Sequence, residues 1–289
     1  MKIRLALAFF WLLHLLPLGA LAALGSGLGR IAWALAAERR RVALVNLRLC
    51  FPELAESERE AMVRRHFCAF VRAALEESVL WFGSRERIRR MVQLEGLEHL
   101  EPYAGRKVIL FIPHFVGLSM AAFRFGMERP VAAMYSRQKN READRLLVER
   151  RTRFGTATLI SRQDGVRAAI RAMRAGVPLV YLPDQDFGPR DTVFVPFFGV
   201  PAATVTGLAR IARIANAVVV PYVPRQLPGA GGYVARLYPA WEDFPGEDVV
   251  AATRRMNAFI EERVREMPEQ YFWTHKRFKT RPEGEAKFY

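Results

Sequence analysis

The chain has 289 residues and a hydrophobic fraction of 51%, which is enough for one large domain or two smaller ones. Its 44 Lys and Arg residues against 29 Asp and Glu give a formal net charge of +15. This excess favours acidic partners such as anionic lipid, an acidic protein or nucleic acid. Nucleic acid is disfavoured, because no zinc finger or aromatic RNA-reading motif is present.

The two cysteines and five histidines do not form a recognisable metal or disulfide pattern. Cys50 and Cys68 each lie in apolar surroundings, where a reduced cysteine behaves as a small hydrophobic residue. The histidines are scattered, without an HExxH or a paired CxxC motif. We therefore expect no metal site.

The N-terminal region, in chain order, begins with an apolar run over residues 5–24, LALAFFWLLHLLPLGALAAL. About 20 apolar residues suffice to cross a bilayer. A cleavable signal peptide is the alternative, because a basic start and the sequence Ala20-Leu21-Ala22 match its pattern. Apolar residues continue beyond that point, which favours a retained membrane anchor with an interfacial segment over residues 1–37.

The orientation of this anchor follows from its flanking charges. Arginines after the run favour a cytoplasmic C-terminal body, although Lys2 and Arg4 precede it. Pro17 and the glycines of residues 25–29 also allow a kinked helix that enters one leaflet only. Both a single span and a one-leaflet anchor remain open.

The remaining residues, 38–289, are predicted to form one domain. A basic helix ends at Pro52, and apolar residues at helical spacing predict a helix from Ser57 to Trp81. From about residue 106, short apolar runs alternate with helical segments, and a last helix is predicted over residues 249–266. This alternation predicts an α/β fold in which a largely parallel sheet is flanked by helices.

The segment IPHFVGLSM directly follows the apolar run VILF. Ligand sites of open α/β sheets gather where strands end, and histidine is suited to proton transfer near neutral pH. Pro113 stiffens this turn, and Gly117 permits close approach of a substrate. His114 is therefore a candidate catalytic base. The alternative is that it only caps a helix.

Two further segments follow strand-like runs. In YLPDQDFGPR, Asp184 and Asp186 could orient a base, hold a sugar hydroxyl or position an arginine, or they could be solvated acids of a turn. FVPFFG could line a slot for an acyl chain or pack in the core. Thr204 or Thr206 could cap the next helix, whose free N–H groups would face an anion.

Basic residues concentrate in the segment that contains Arg137 and Arg151 and in the aromatic tail YFWTHKRFKTRPEGE. Arginine suits phosphate, although most helical charge runs are solvated surfaces. Aromatic and basic side chains together are typical of a membrane interface.

Taken in order, the blocks IPHF, YSRQKN, YLPDQDFGPR, FVPFFGVPAATVTG and QYFWTHKRFKTRP resemble the bacterial lipid A secondary (lauroyl/myristoyl) acyltransferases over nearly the whole chain. These belong to the glycerolipid acyltransferase-like superfamily. The resemblance implies a glycerol-3-phosphate acyltransferase-like fold. It also implies transfer of a fatty acyl group from acyl carrier protein to a 3-hydroxyacyl hydroxyl of a lipid A precursor. The reaction would need no cofactor and would occur at the cytoplasmic side of the bacterial inner membrane.

The resemblance also implies roles for particular residues. His114 would be the general base, and Arg137 and Arg151 would contact phosphate or orient the acceptor. Asp184 and Asp186 would be orienting or binding groups. Thr204, with FVPFFG, would help to form the cleft. The expected partners are acyl carrier protein, an anionic glycolipid and the membrane, with no nucleic acid.

The family pattern places Asp or Glu after His and four intervening residues, and here that position holds Ser119. Three hypotheses follow. Ser119 orients His114 as a neutral partner; a carboxylate from elsewhere, first of all Asp184 or Asp186, replaces the missing acid; or the chain is a degenerate paralogue that binds lipid or carrier protein without turnover. Acylation of another membrane lipid is a further alternative.

Overall fold

The computed structural model describes residues 2–161, 163 and 165–289, with side chains from residue 5 onwards. Its α-helices are α1 (Lys2–Leu15), α2 (Leu18–Leu35), α3 (Ala37–Cys50), α4 (Glu56–Phe82), α5 (Arg85–Met91), α6 (Leu118–Glu128), α7 (Arg141–Arg151), α8 (Val166–Arg174), α9 (Gly207–Ala215) and α10 (Val249–Glu266). Its strands are β1 (Val92–Glu95), β2 (Val108–Phe111), β3 (Val131–Tyr135), β4 (Ala157–Ser161), β5 (Leu179–Tyr181), β6 (Thr192–Phe197), β7 (Val200–Val205), β8 (Val218–Gln226) and β9 (Tyr233–Leu237). Short 3₁₀ helices cover Leu97–Tyr103 and Pro268–Gln270.

The main sheet has seven strands in the order β1-β9-β8-β2-β5-β3-β4. Strands β8, β2, β5, β3 and β4 are parallel to one another, whereas β9 is antiparallel to β8 and parallel to β1. Every residue of β2 is buried, as expected for a strand covered by helices on both faces. The α/β fold with a largely parallel sheet is therefore confirmed.

The FVPFFG segment forms a hairpin apart from the main sheet. Strands β6 and β7 pair antiparallel, and Phe198 and Gly199 form the turn at φ values of 52° and 78°. Two positive φ values in succession are typical of a tight hairpin turn. The next helix begins at Gly207 with Thr206 in the N-cap position, where its side chain makes no capping hydrogen bond with the described residues. Of the two threonines predicted as possible caps, Thr204 is excluded, since it lies inside β7.

The N-terminal apolar run forms two helices, which matches the kinked arrangement that Pro17 allows and not one continuous helix over residues 5–24. The break falls at Pro17, which has no N–H to continue the hydrogen bonding of α1. By length and composition, α2 (Leu18–Leu35) is able to cross a membrane. The prediction of an N-terminal apolar helix is confirmed with these bounds.

Helix α2 packs closely against α4 through two glycines. A Cβ atom at Gly25 would lie 2.5 Å from the Cα of Arg72, and one at Gly29 would lie 2.4 Å from the Cα of Cys68. Side chains at either position would force the helices apart. Helix α2 is thus packed on the body of the protein.

The outer side of α1 and α2 is apolar and exposed. We call it the N-terminal apolar face; its large side chains are Leu5, Phe9, Trp11, Leu12, Leu15, Leu24, Leu28, Ile31 and Leu35. Leu35, the most exposed, has 79% of its surface accessible. Contiguous apolar surfaces of this kind are typical of membrane or protein interfaces.

Candidate active site

His114 and Asp184 leave the sheet from neighbouring strands at equivalent positions. β2 and β5 are parallel partners in which Phe111 pairs with Tyr181. Each candidate residue lies three positions beyond this last pair, and each follows a proline. Because the segments after β2 and β5 leave the sheet at the same level and each candidate residue has the same offset, the imidazole and the carboxylate lie side by side.

The Asp184 carboxylate binds His114 twice. Its Oδ1 lies 2.5 Å from the Nδ1 atom of the imidazole, and its Oδ2 accepts the backbone N–H of His114 at 2.9 Å. The Asp184 side chain is fully buried, whereas 15% of the His114 side chain is exposed. A carboxylate at Nδ1 requires that nitrogen to carry the proton, which leaves Nε2 as the basic nitrogen.

Asp184 is held in its charged form. Burial alone would raise the pKa of its carboxyl, but the contacts with His114 outweigh burial and lower the pKa below its ordinary value of 3.8. The buried Arg277 guanidinium acts in the same direction. The site therefore contains an ionised carboxylate that can stabilise a protonated imidazole.

The loop that carries His114 is fixed by the C-terminal tail. The backbone N–H of Val116 donates to the Gln270 carbonyl at 2.7 Å, and that of Phe272 donates to the His114 carbonyl at 3.0 Å. Gly117 then starts α6 at a φ of 84°, where a Cβ atom would lie 2.7 Å from the Tyr233 ring. The tail thus forms a short antiparallel bridge with this loop, between Phe115 and Tyr271, that positions the histidine.

The ring of Phe272 adds a side-chain contact between the tail and His114. It stacks on the His114 imidazole at a centroid distance of 6.3 Å and on Phe70 of α4 at 5.5 Å. Its other neighbour is His275, whose Nε2 accepts the backbone N–H of Asp186 at 3.0 Å. Burial, with the nearby charges of Arg277 and His114, lowers the pKa of His275 to about 4, so this ring is neutral near pH 7.

Two adjoining cavities open beside His114. The first, the histidine cavity, has a volume of about 340 Å³ and is lined by His114, Phe272 and Phe10 among others. The second, the apolar cavity, has a volume of about 270 Å³. Its lining includes Leu80, Trp81, Ala122, Phe123, Leu147 and Leu159. The two share Glu77, Leu118, Ser119 and Arg151 in their walls, so the imidazole lies next to an apolar compartment.

Ser119 lies in the first turn of α6, at the boundary between the cavities. Its hydroxyl forms no hydrogen bond with His114 or with any other described residue, whereas Asp184 occupies Nδ1 of the imidazole. Of the three hypotheses for position 119, this geometry supports a carboxylate supplied from elsewhere in the chain.

The remaining predicted site residues are spread over different environments. Arg151 ends α7 and lines both cavities. Arg137 is exposed in the loop between β3 and α7 and lines neither cavity. Arg151 is thus the arginine that lies within reach of a ligand near His114.

Asp186 and Thr204 are buried away from the cavities. Asp186 accepts hydrogen bonds from the backbone N–H of Thr280 at 2.6 Å and from its hydroxyl at 2.8 Å. Thr204 accepts a hydrogen bond from the guanidinium of Arg277 at 2.8 Å. Both side chains therefore hold the C-terminal tail, and the geometry gives neither of them a route to substrate.

Sequence reasoning did not assign Glu77, Phe272, His275 or Arg277 to the site. Glu77 lies on the predicted helix 57–81 beside apolar positions, which is a weak signal for a carboxylate at a cavity. The three tail residues lie in a segment that we assigned to a membrane interface. Aromatic and basic residues occur both at membrane interfaces and around buried sites. Only the contact of the tail with the loop after β2 shows which of the two applies here. Among the described residues, no cluster of three or more His, Cys, Asp or Glu side chains is arranged to hold a metal ion.

Comparison with known proteins identifies the family of the chain. The family described as bacterial lipid A biosynthesis acyltransferase matches residues 2–280. The chain is 37% identical to a lipid A biosynthesis lauroyltransferase of Escherichia coli (strain K12), over 97% of this chain and 92% of that protein. It is 36% identical to a lipid A biosynthesis myristoyltransferase of the same organism, over 91% and 82%. It is 32% identical to a lipid A biosynthesis palmitoleoyltransferase, also from that organism, over 98% and 92%.

The parallel sheet with a histidine and a carboxylate at its strand ends therefore belongs to an acyltransferase. More particularly, the chain belongs to the bacterial lipid A biosynthesis acyltransferase family. The family resemblance inferred from the sequence motifs is confirmed.

Proposed function

We propose that this chain transfers a fatty acyl group from acyl carrier protein to the hydroxyl of a 3-hydroxyacyl chain on a lipid A precursor. The observation that carries the proposal is the double contact of Asp184 with His114 beside two joined cavities. The names of the relatives support lipid A as the acceptor, since each is described as a lipid A biosynthesis enzyme. No cofactor is needed, because a thioester donor is already activated.

In this mechanism His114 acts as the general base. Asp184 holds the proton on Nδ1, so Nε2 can remove the proton of the acceptor hydroxyl. The imidazole then becomes positively charged next to an ionised, buried carboxylate. In the serine protease triad, replacing the carboxylate by an amide lowers kcat by about 10⁴. Asp184 is expected to stabilise the imidazolium in the same way.

The alkoxide attacks the thioester carbonyl and forms the new C–O bond. The tetrahedral intermediate then collapses, the C–S bond breaks, and the leaving sulfur takes the proton from Nε2 of His114. Arg151, at the junction of the cavities, supplies positive charge for the oxyanion or for a phosphate of the acceptor. Protons and charge balance over one turnover.

The two cavities suit two lipid-like substrates. The apolar cavity is lined mainly by aliphatic and aromatic side chains, which suit the acyl chain of the donor. The histidine cavity opens beside Phe10 of α1 and can admit the acceptor from the membrane side. The shared wall at Ser119 brings the ends of both substrates towards His114.

The same proposal places the protein at the cytoplasmic face of the bacterial inner membrane. The N-terminal apolar face supports membrane attachment, and the +15 charge suits the phosphates of a glycolipid and an acidic carrier protein. The arginines that follow the apolar segment support a cytoplasmic position for the catalytic body.

The direct test is transfer of labelled acyl groups from acyl carrier protein to a purified lipid A precursor, with the product identified by mass spectrometry. We expect turnover by the wild type and background-level transfer by His114→Ala. Equal, background-level transfer by both proteins would contradict the proposal and support a degenerate paralogue. A Ser119→Asp variant that alone restored activity would identify position 119 as the cause.

The acceptor is tested in cells. Lipid A from a strain that lacks this protein should lose one secondary acyl chain, and the gene should restore it. Unchanged lipid A together with altered acylation of another membrane lipid would support the same chemistry on a different acceptor.

A further inference from the structure

A cleft lined by arginines lies between α2 and α4. We call it the basic cleft; it has a volume of about 280 Å³ and is lined by Arg30, Arg64, Arg65, Arg72, Ser26 and Gln226, among others. No acidic side chain lines it. Its chemistry is therefore that of an anion site, and it belongs to neither of the cavities beside His114.

Three of the four guanidinium groups have no acidic partner among the described residues. Arg30, Arg64 and Arg65 are exposed, and within the described parts of the chain none of them forms an ion pair. Close, unneutralised like charges repel one another, and a bound anion relieves this repulsion.

Arg72 at the same cleft is 5% exposed and carries an unsatisfied donor. Its Nε donates to Glu76 Oε1 at 2.9 Å, and its Nη1 donates to the Leu227 carbonyl at 2.8 Å. Its Nη2 is buried and has no hydrogen-bond partner among the residues that the structure describes. Buried donors are almost always paired, so this atom indicates a missing acceptor.

We propose that the basic cleft binds the phosphate of an anionic membrane phospholipid. Arginine's planar fork of donors matches phosphate oxygens, and a bound phosphate would provide an acceptor at the position of Arg72. The exposed Arg30, Arg64 and Arg65 would neutralise its charge.

The position of the cleft favours a lipid over an acidic protein. Ser26 and Arg30 lie one turn apart on α2, and Leu24, Leu28 and Ile31 of the same helix belong to the N-terminal apolar face. A phospholipid could therefore lie with its tails along this face while its headgroup enters the cleft. A volume of about 280 Å³ suits a headgroup, whereas protein partners bind over broad surfaces.

The basic cleft lies on a different side of α4 from the catalytic residues. Arg64, Arg65 and Cys68 line the cleft, while Phe70 and Glu77 of the same helix line the histidine cavity. Lipid binding at the cleft would fix α2 and α4 at the membrane without occupying the substrate site. Lipid binding at the cleft can be measured without turnover. A negative result for this binding is therefore distinguishable from failure of the proposed acyl transfer.

The test uses the full chain in flotation with phosphatidylcholine vesicles, with or without phosphatidylglycerol. A double variant, Arg30→Gln with Arg65→Gln, removes two charges from the cleft. A control, Arg171→Gln with Arg174→Gln on α8, removes two exposed charges elsewhere. We expect the cleft variant to lose about 30-fold in partitioning to phosphatidylglycerol vesicles, at about 1 kcal/mol for each basic residue, and the control less than about 3-fold. Binding to phosphatidylcholine alone should stay constant.

Equal losses in both variants would overturn the proposal, because general surface charge would then explain the binding. A second measurement identifies the ligand: in detergent, soluble short-chain phosphatidylglycerol should raise the Tm of the wild type but not that of the cleft variant. An equal rise with inorganic phosphate would identify a free-anion site and overturn the lipid assignment. Loss of carrier-protein binding with vesicle binding intact would assign the cleft to an acidic protein instead.

Discussion

The carboxylate of Asp184 accepts both the backbone N–H and the imidazole Nδ1–H of His114, although 70 residues separate the two in sequence. This double contact fixes the ring and its tautomer together. It also provides the carboxylate contact that the family resemblance assigns to an acid at residue 119. We therefore expect Asp184 to be more important for activity than Ser119.

Replacing the buried carboxylate should be far more harmful than replacing the serine. We expect Asp184→Asn to lower kcat by about 10²–10⁴, because the amide cannot stabilise the imidazolium and can favour the wrong tautomer. Ser119→Ala should change kcat by less than about 3-fold, since its hydroxyl forms no hydrogen bond with any described residue. Steady-state kinetics of both variants provide the measurement. A larger loss in Ser119→Ala would contradict the assignment of the orienting role to Asp184.

The apolar cavity should set the preference for acyl-chain length. Ala122 lines this cavity but not the histidine cavity, so Ala122→Phe shortens the space without touching His114. Each excluded methylene forfeits about 0.8 kcal/mol of transfer free energy. We expect kcat/KM for the longer of two donors to fall at least about 10-fold relative to the shorter. Equal losses for both donors would show that the acyl chain lies elsewhere.

The contact between α2 and α4 depends on Gly29 but not on Gly27. A Cβ at Gly29 would clash with the α4 backbone, whereas nothing lies within 4 Å of one at Gly27. Gly29→Ala should lower the free energy of unfolding by about 1–3 kcal/mol through overpacking. Gly27→Ala, the matched control, should raise it by about 0.5–1 kcal/mol through helix propensity. Thermal unfolding in detergent measures both changes, and similar effects at the two positions would contradict the packing described.

Buried histidine makes the fold sensitive to acid. His66 of α4 is fully buried, with Nδ1 3.0 Å from the Glu269 carbonyl. Burial lowers the pKa of His66 to about 4, below its ordinary value of 6.5. Between these pH values the unfolded chain binds a proton that the folded chain excludes, so this contribution to stability is present above 6.5 and lost as the pH falls towards 4.

The His66→Gln variant isolates this effect, because glutamine keeps an N–H donor but does not titrate. At about 1.4 kcal/mol for each pKa unit, the wild type should lose about 3 kcal/mol more than the variant between pH 7 and pH 4. Urea unfolding at several pH values measures the difference. Identical pH dependence in the two proteins would show that the folded protein accepts a proton on His66.

Thr204 should affect stability rather than substrate binding. Its hydroxyl accepts a hydrogen bond from the buried Arg277, so Thr204→Val leaves a buried charged donor without that partner. We expect the free energy of unfolding to fall by about 1–3 kcal/mol, with KM unchanged below the unfolding temperature. A raised KM at unchanged stability would return Thr204 to the substrate site.

Several features followed from the sequence because they depend on neighbouring residues. Continuous apolar runs predicted buried parallel strands, and the IPH and LPD segments after two of them identified the site. The hairpin at FVPFFG was missed, since short apolar runs do not distinguish a strand from other buried structure. Equivalent offsets of His114 and Asp184 were present in the sequence, but they have meaning only once β2 and β5 are known to be neighbours.

The sequence by itself thus determined the α/β class, the apolar N-terminus and the histidine at a strand end. Tertiary structure decided which carboxylate reaches that histidine, how the tail returns to hold it, and how α2 lies on α4. The physical reason is that apolar periodicity is a property of adjacent residues and fixes local structure. Strand order and helix packing depend instead on which distant segments bury one another, and the chain beside each residue does not encode that choice locally.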